Sequence, residues 1–179
     1  SLSDAERRFF AEADPLGFIL FGRNVETPAQ IAALVAALRD AVGRADAPVL
    51  IDQEGGRVRR LKPPHWRAFP PAATIGALAS SDADAAARAA FLAGRLIAEE
   101  GTHDAIGDRA FARDPALVAR LARAFAVGLA DGAVAPVMKH MPGQGRARVD
   151  SHAERPVVHA DWPALERVDF RPFAENADI

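Results

Sequence analysis

Apolar and polar residues fall in blocks along this chain, and the blocks carry two different periods. "PLGFILFG", residues 15–22, is a short apolar run closed by proline and glycine, the pattern of a strand buried on both faces. "ETPAQIAALVAALRDAVG" follows with a helical period, placing Ile31, Leu34, Val35, Leu38 and Val42 on one face. Thr27 stands where a cap belongs, Pro28 takes the first helical position, Gln30 completes a capping box and Gly43 supplies the stop. "APVLIDQ" reads as a second buried strand. Strand, amphipathic helix and strand in close succession predict a parallel βαβ unit.

The alternation then partly repeats. Ser81 opens a long alanine-rich helix reaching to about residue 100, with Phe91, Leu92 and Leu96 as its expected buried side. Asp114-Pro115 opens another, in which Leu117, Leu121, Phe125, Gly128 and Leu129 recur at helical spacing and Gly132 marks the end. "AVAPVMKH" is a third expected strand, and Asp161 with Pro163 leads a final helix to about residue 176. Strands alternating with helices imply a parallel sheet covered on both faces. One place breaks this rhythm: "GTHDAIGDRAFAR" separates two long helices and contains no strand. A genuine deletion, a two-helix crossover or residues absent from the sequence as written would each produce that break. With no internal repeat and no linker, residues 1–179 read as one domain.

Composition narrows the function classes. The 22 basic residues nearly balance the 24 acidic ones, for a net charge of −2. Without a basic field, no nucleic-acid or anionic-membrane partner is expected. The chain has no cysteine, so disulfide and thiolate chemistry are out, which fits a reducing compartment. No apolar run approaches the ~20 residues that span a bilayer, and "SLSDAERRFF" lacks the layout of a secretory signal. A soluble, cytoplasmic protein is the expectation.

Parallel α/β folds place ligands at the carboxyl ends of their strands, and polar residues gather there. Asp52, Gln53 and Glu54 end the second strand before Gly55-Gly56, and Lys139 and His140 end the third. Taken singly, each group reads equally well as structural, a turn cap at Asp52 or a solvated pair at Lys139–His140, or as part of a site; charge at both strand ends, each followed by a glycine-rich loop, favours a site. Arg57, Arg59, Arg60 and Lys62 offer forks for a carboxylate or phosphate, or simply a solvated basic loop, and Arg109 reads equally well as paired with Asp108 or Asp104 or as touching a ligand. In "KHMPGQGRARVDSH", residues 139–152, Gly143 and Gly145 predict a loop able to move, with Asp150 and His152 at its far end. A carboxylate beside an imidazole fixes its tautomer and favours its protonated form, making His152 a candidate acid/base; the plainer reading has Asp150 capping a turn and His152 on the surface. The glycines are not a nucleotide fingerprint, because Arg148 stands where the third glycine would fall. His140, Asp150 and His152 have metal-ligand chemistry but lack the tight two-histidine helix motif, so no metal is expected.

Four segments in this order, "LGFILFGRNV", "IDQEGGRVRRL", "IGDRAFARDP" and "KHMPGQGRARVDSH", closely resemble the bacterial β-N-acetylglucosaminidases of glycoside hydrolase family 3. The resemblance covers nearly the whole chain, and the last segment is its most specific part. It implies a (β/α)8 TIM-type barrel, incomplete in this chain. It also implies a retaining enzyme that removes terminal β-linked N-acetylglucosamine from peptidoglycan fragments during cell-wall recycling in the cytoplasm. Carried over position by position, His152 would be the acid/base and Asp150 its partner, while Asp52, Arg60, Arg109, Lys139 and His140 would hold the sugar. No cofactor is implied, the substrate would be a small N-acetylglucosamine-containing muropeptide, and a monomer is expected.

Three departures stand out. Gln144 replaces the family's usual histidine, and Met141 an aromatic or aliphatic residue. Relatives carry additional residues, including a strand, between the segments matching Glu100 and Gly101. The nucleophilic aspartate of the family would lie beyond Ile179, so no residue here takes that role. A degenerate barrel that binds amino sugar without cleaving it is the non-catalytic alternative. An N-acetylglucosaminide phosphorylase is the second enzymatic one, because an imidazole acid/base tolerates an anionic acceptor.

Overall fold

The computed structural model describes residues 2–98, 109–143, 145–146 and 155–179, with backbone alone for 95–98. The Glu100–Gly101 junction therefore lies outside the described residues. Two compact units emerge, one from the described residues up to Ala68 and one from Phe69 onward.

In the first unit, helix α1 (Asp4–Ala13) starts at a full capping box: the Ser3 hydroxyl accepts from the Glu6 N–H at 3.3 Å, and the Glu6 carboxylate accepts from the Ser3 N–H at 2.8 Å. The predicted βαβ unit follows as β1 (Phe18–Leu20), α2 (Pro28–Ala41) and β2 (Val49–Ile51). The two strands are parallel, with Phe18 opposite Val49, Ile19 opposite Leu50 and Leu20 opposite Ile51. Leu20, Leu34 and Leu38 form the buried centre, against which Phe18, Ile31, Val35, Val49 and Ile51 pack. Phe10 of α1 closes this core edge-to-face on Phe18 at 5.2 Å. Strand alternation sends Ile19 and Leu50 to the opposite face, where both stay exposed. The expected burial on both faces is thus met on one only.

The α2 cap differs from the expected box in one bond. The Thr27 hydroxyl accepts from the Gln30 N–H at 3.1 Å, as foreseen. The Gln30 amide, however, reaches one residue further back, accepting from the Glu26 N–H at 3.1 Å and donating to the Asn24 carbonyl at 3.0 Å. It thereby ties the helix start to the 3-10 turn Gly22–Asn24. After β2 the chain forms a hairpin the apolar pattern did not announce, β3 (Gln53–Gly55) antiparallel to β4 (Val58–Arg59). Gly55 and Gly56 turn it with φ of 95° and 60°.

The second unit packs α3 (Ala72–Leu78), α4 (Ala83–Ala98) and α5 (Pro115–Asp131) around Leu121 and Ile75. Asp82, one residue after Ser81, caps α4 by accepting from the Asp84 and Ala85 N–H groups at 2.9 and 2.8 Å. The buried side of α4 is not the expected one. Leu92 is 55% exposed, while Ala86, Ala90 and Ala93 are buried; the Leu96 side chain is outside the described set. Close helix packing explains this choice. A Cβ on Gly94 would lie 2.1 Å from the Phe125 carbonyl oxygen, so only small residues allow α4 to approach α5. Asp114 caps α5 by accepting from the Leu117 N–H at 2.7 Å, and Gly132 ends it, both as predicted.

Two further expectations are corrected. Residues 134–138 form no strand, and Val137 and Met138 are exposed. A run can be apolar enough for a buried strand and still need neighbours to supply its ladder. The final helix is also broken: Asp161 caps Trp162–Ala164 (α6), a π-helical turn spans Leu165–Asp169, and Arg171–Ala174 (α7) completes it. The Phe170 N–H donates to the Leu165 carbonyl at 2.9 Å, and Pro172, lacking an N–H, prevents regular bonding across the joint. Asn176 then fastens this segment, donating to the Ala119 carbonyl of α5 at 3.0 Å. Among the described residues no helix is long and apolar enough to cross a membrane.

Candidate functional site

The best-defined polar constellation lies in the first unit, directly after β2. Gln53 is fully buried, and its side chain makes a two-point clasp: the amide nitrogen donates to the Leu61 carbonyl at 2.9 Å, and its oxygen accepts from the Leu61 N–H at 2.8 Å. One residue away along both strands, Arg60 donates from its backbone to the Asp52 carbonyl at 3.2 Å and from Nη2 to Asp52 Oδ2 at 3.1 Å. The Arg60 and Asp52 side chains are 22% and 13% exposed. Residues 52–53 and 60–61 are thus cross-linked twice, once by a neutral amide and once by an ion pair. That geometry holds an acidic acceptor and a guanidinium donor in fixed rotamers at a strand's carboxyl end. Gly22, in the turn after β1, lies beneath the Arg60 stem: a Cβ there would meet Arg60 Cδ at 3.9 Å. A partly desolvated acceptor–donor pair at a strand's carboxyl end suits a ligand rich in hydroxyl and amide groups. Arg57 and Lys62 of that basic run are exposed, while Arg59 and Arg60 are half-buried.

The second unit holds the remaining described candidates. Arg109 is buried two residues before Phe111, whose ring packs on Phe125 of α5. Lys139 and His140 occupy one half-buried turn after residues 134–138. The Lys139–His140 and Met141–Pro142 peptide bonds are cis, and the His140 carbonyl accepts from the Gly143 N–H at 2.8 Å. Gly143 has φ 129°, and a Cβ there would lie 3.2 Å from both Cβ and the carbonyl oxygen of Asp169. Three residues on, Arg146 Nε donates to Asp169 Oδ2 at 2.7 Å, the Asp169 side chain being only 6% exposed. Around Gly145, by contrast, a Cβ would meet nothing within 4 Å. The two glycines, both read from sequence as freeing the loop, therefore do different work: Gly143 is packed and Gly145 is open.

Asp150, His152 and Gln144 lie outside the described residues, so the expected acid/base pair has no geometry here. Asp52 and Arg60 are brought together directly, and Lys139 and His140 share a turn. Sequence reasoning missed two residues. Gln53 stood between two charged neighbours and looked like a ligand group, whereas its amide is spent on Leu61. Asp169, inside the expected final helix, was not singled out. Among the described residues no group of three or more histidine, aspartate and glutamate side chains is placed to hold a metal.

Comparison with known proteins places this arrangement. The family model described as the glycosyl hydrolase family 3 N terminal domain matches residues 3–178. The β-hexosaminidase of Xylella fastidiosa strain M23 is 37% identical over 193 residues, covering 97% of this chain and 56% of the relative. That of Aromatoleum aromaticum is 36% identical over 180 residues, covering 89% and 50%. The chain thus spans about half the length of the curated relatives it matches. The 193 aligned positions exceed the 179 residues of the whole chain, so that relative carries residues within the matched stretch that this chain lacks. Among solved structures, native NagZ from Neisseria gonorrhoeae aligns with a TM-score of 0.88 at 31% identity, over 98% of this chain and 56% of its own. A family 3 β-N-acetylglucosaminidase from Paenibacillus aligns with a TM-score of 0.79 at 33% identity, over 97% of this chain and 36% of its own. These likenesses carry the fold class, a TIM-type (β/α)8 barrel that is incomplete in this chain. The chain belongs to glycosyl hydrolase family 3, of which residues 3–178 are the N-terminal domain.

Proposed function

We propose that the protein acts as a retaining exo-β-N-acetylglucosaminidase on N-acetylglucosamine-containing peptidoglycan fragments, in cytoplasmic cell-wall recycling. The observation that carries this reading is the Asp52–Arg60 pair, locked at the carboxyl end of β2, in a chain whose curated relatives are β-hexosaminidases. A neighbouring structure, the gonococcal NagZ in complex with N-trifluoroacetyl-D-glucosamine, supports an amino sugar as the ligand class. In this reading Asp52 accepts from sugar hydroxyls, while Arg60, Arg109, Lys139 and His140 donate to hydroxyl and acetamide oxygens. His152, oriented by Asp150, protonates the glycosidic oxygen as the C1–O bond breaks, then takes a proton from the water that hydrolyses the glycosyl-enzyme. The nucleophilic carboxylate is assigned to no residue of this chain.

The test is release of nitrophenol from an aryl β-N-acetylglucosaminide by the full-length protein, beside a disaccharide with a sugar leaving group. His152→Ala should slow disaccharide cleavage by about 10²–10⁴-fold and the aryl substrate less, because nitrophenolate leaves with little help from an acid. Equal rates for wild type and variant on the disaccharide would refute the acid/base assignment. Sugar-1-phosphate appearing on addition of phosphate would replace hydrolysis by phosphorolysis.

A further inference from the structure

We propose that Asp169 is a positioning residue for the Lys139–His140 turn, gripping the root of the loop that follows it. The proposal rests on the reading above of Lys139 and His140 as sugar-holding residues. Two observations converge on this one side chain and its backbone, and a third links them to the turn. Gly143 lies against Asp169 so closely that a Cβ would stand 3.2 Å from its Cβ and carbonyl oxygen, and its φ of 129° already excludes other residues. Arg146 binds the carboxylate through Nε at 2.7 Å. Gly143 in turn donates to the His140 carbonyl at 2.8 Å, so a displacement of Gly143 is felt one hydrogen bond away at the sugar-holding pair.

The place of Asp169 in the fold fits this role. It ends the π-helical turn Leu165–Asp169, where the wider backbone spacing offsets a side chain from a regular helical row. Its carboxylate is 6% exposed while the Arg146 side chain is 40% exposed. Holding a carboxylate that far out of water costs more than a surface ion pair returns, so fold stability alone is a weak reason for it. Specifying where the loop root sits is a better one. Gly145, between these two contacts, has open space for a side chain, so the grip on Asp169 is made at Gly143 and at Arg146.

Asp169→Asn, Arg146→Ala and the double variant, made in the full-length protein, test this through two readouts. KM for the aryl N-acetylglucosaminide should rise about tenfold in each single variant, the scale of a lost charge-assisted hydrogen bond, with kcat changed far less. The double variant should rise no further, because both changes break the same link. Trypsin cleavage after Arg146 should be slow in the wild type and faster in Asp169→Asn, with other tryptic sites unaffected. Unchanged KM with a lowered Tm would make Asp169 a fold element only, and equal trypsin rates would remove the grip altogether; either result overturns the proposal. A wild-type protein that cleaves no N-acetylglucosaminide would sink the functional reading instead. The trypsin rates, with the affinity for free N-acetylglucosamine, would then decide the role of Asp169.

Discussion

The hairpin after β2 and the turn after residues 134–138 both present charge beside glycines, yet they are held by opposite means. The hairpin is closed by a fully buried neutral amide, with the Asp52–Arg60 ion pair beside it. The turn is pressed onto Asp169 instead, by a glycine of positive φ and a half-exposed arginine. Buried amide bonds are indifferent to salt and expensive to break, because each broken group is left dry. A partly exposed ion pair is screened and yields locally. The hairpin is therefore held by a bond that salt does not reach, and the turn by one that salt weakens.

The largest effect should come from Gln53→Leu, which keeps the volume but strands both the N–H and the carbonyl of Leu61. At about 1–3 kcal/mol for each stranded group, unfolding in urea should show a loss of about 2–6 kcal/mol. Gln53→Glu sharpens the point. Its carboxylate would face the Leu61 carbonyl and favour the protonated form, so the variant's deficit against wild type should shrink as pH falls. A deficit that is constant from neutral to acid pH would mean that the amide's donor half does not hold the hairpin.

Next comes Gly143→Ala, which forces a Cβ into a φ of 129° and against the Asp169 backbone. A cost of about 1–3 kcal/mol is expected from the backbone alone, read from the urea midpoint. Gly145→Ala serves as the internal control: with open space around it, it should cost clearly less. Similar costs at both positions would erase the distinction between the packed and the open glycine.

How much of this could be read from the chain depends on the kind of signal. The βαβ unit, the caps at Thr27, Asp114 and Asp161 and the stop at Gly132 were legible because each is decided by residues within a turn of one another. The hairpin at Gln53–Arg59 was not, since its closure depends on a Gln side chain reaching eight residues along the chain. The buried face of α4 was misread because hydrophobicity favours Phe91 and Leu92, whereas interhelical distance selects Ala86, Ala90 and Gly94. Ile19, Leu50, Val137 and Met138 looked like core and remain exposed. In a closed barrel such alternate strand positions fill the interior, and the fold is incomplete here. Of the candidate site, Asp52, Lys139 and His140 drew attention as charge expected at strand ends, although residues 134–138 form no strand, and Arg60 stood out only as one of a basic run. The roles of Gln53 and Asp169 were not, because both act through backbone groups distant in sequence.

The smallest expected effect calibrates the two ion pairs above. Arg123 binds Asp178 with both guanidinium nitrogens, at 2.8 and 2.7 Å, and both side chains are exposed. These hydrogen bonds and the adjacent positive charge lower the Asp178 pKa from 3.8 to about 2. A depressed carboxylate pKa contributes stability above the ordinary value and loses it as pH falls through the folded one. Asp178→Asn should therefore lower Tm slightly at pH 7 and low salt, with the gap closing between pH 3.8 and about 2. Added salt should close it as well, because both charges are exposed. Applied to Asp169→Asn and to Asp52→Asn, the same salt titration ranks the three pairs by burial. Asp52, whose pair is shielded on both sides, should keep most of its Tm gap in high salt, and Asp169 should fall between. A gap at Asp52 that salt removes as fully as at Asp178 would show that the hairpin's ion pair is no better protected than the surface one, and that Gln53 alone makes that region rigid.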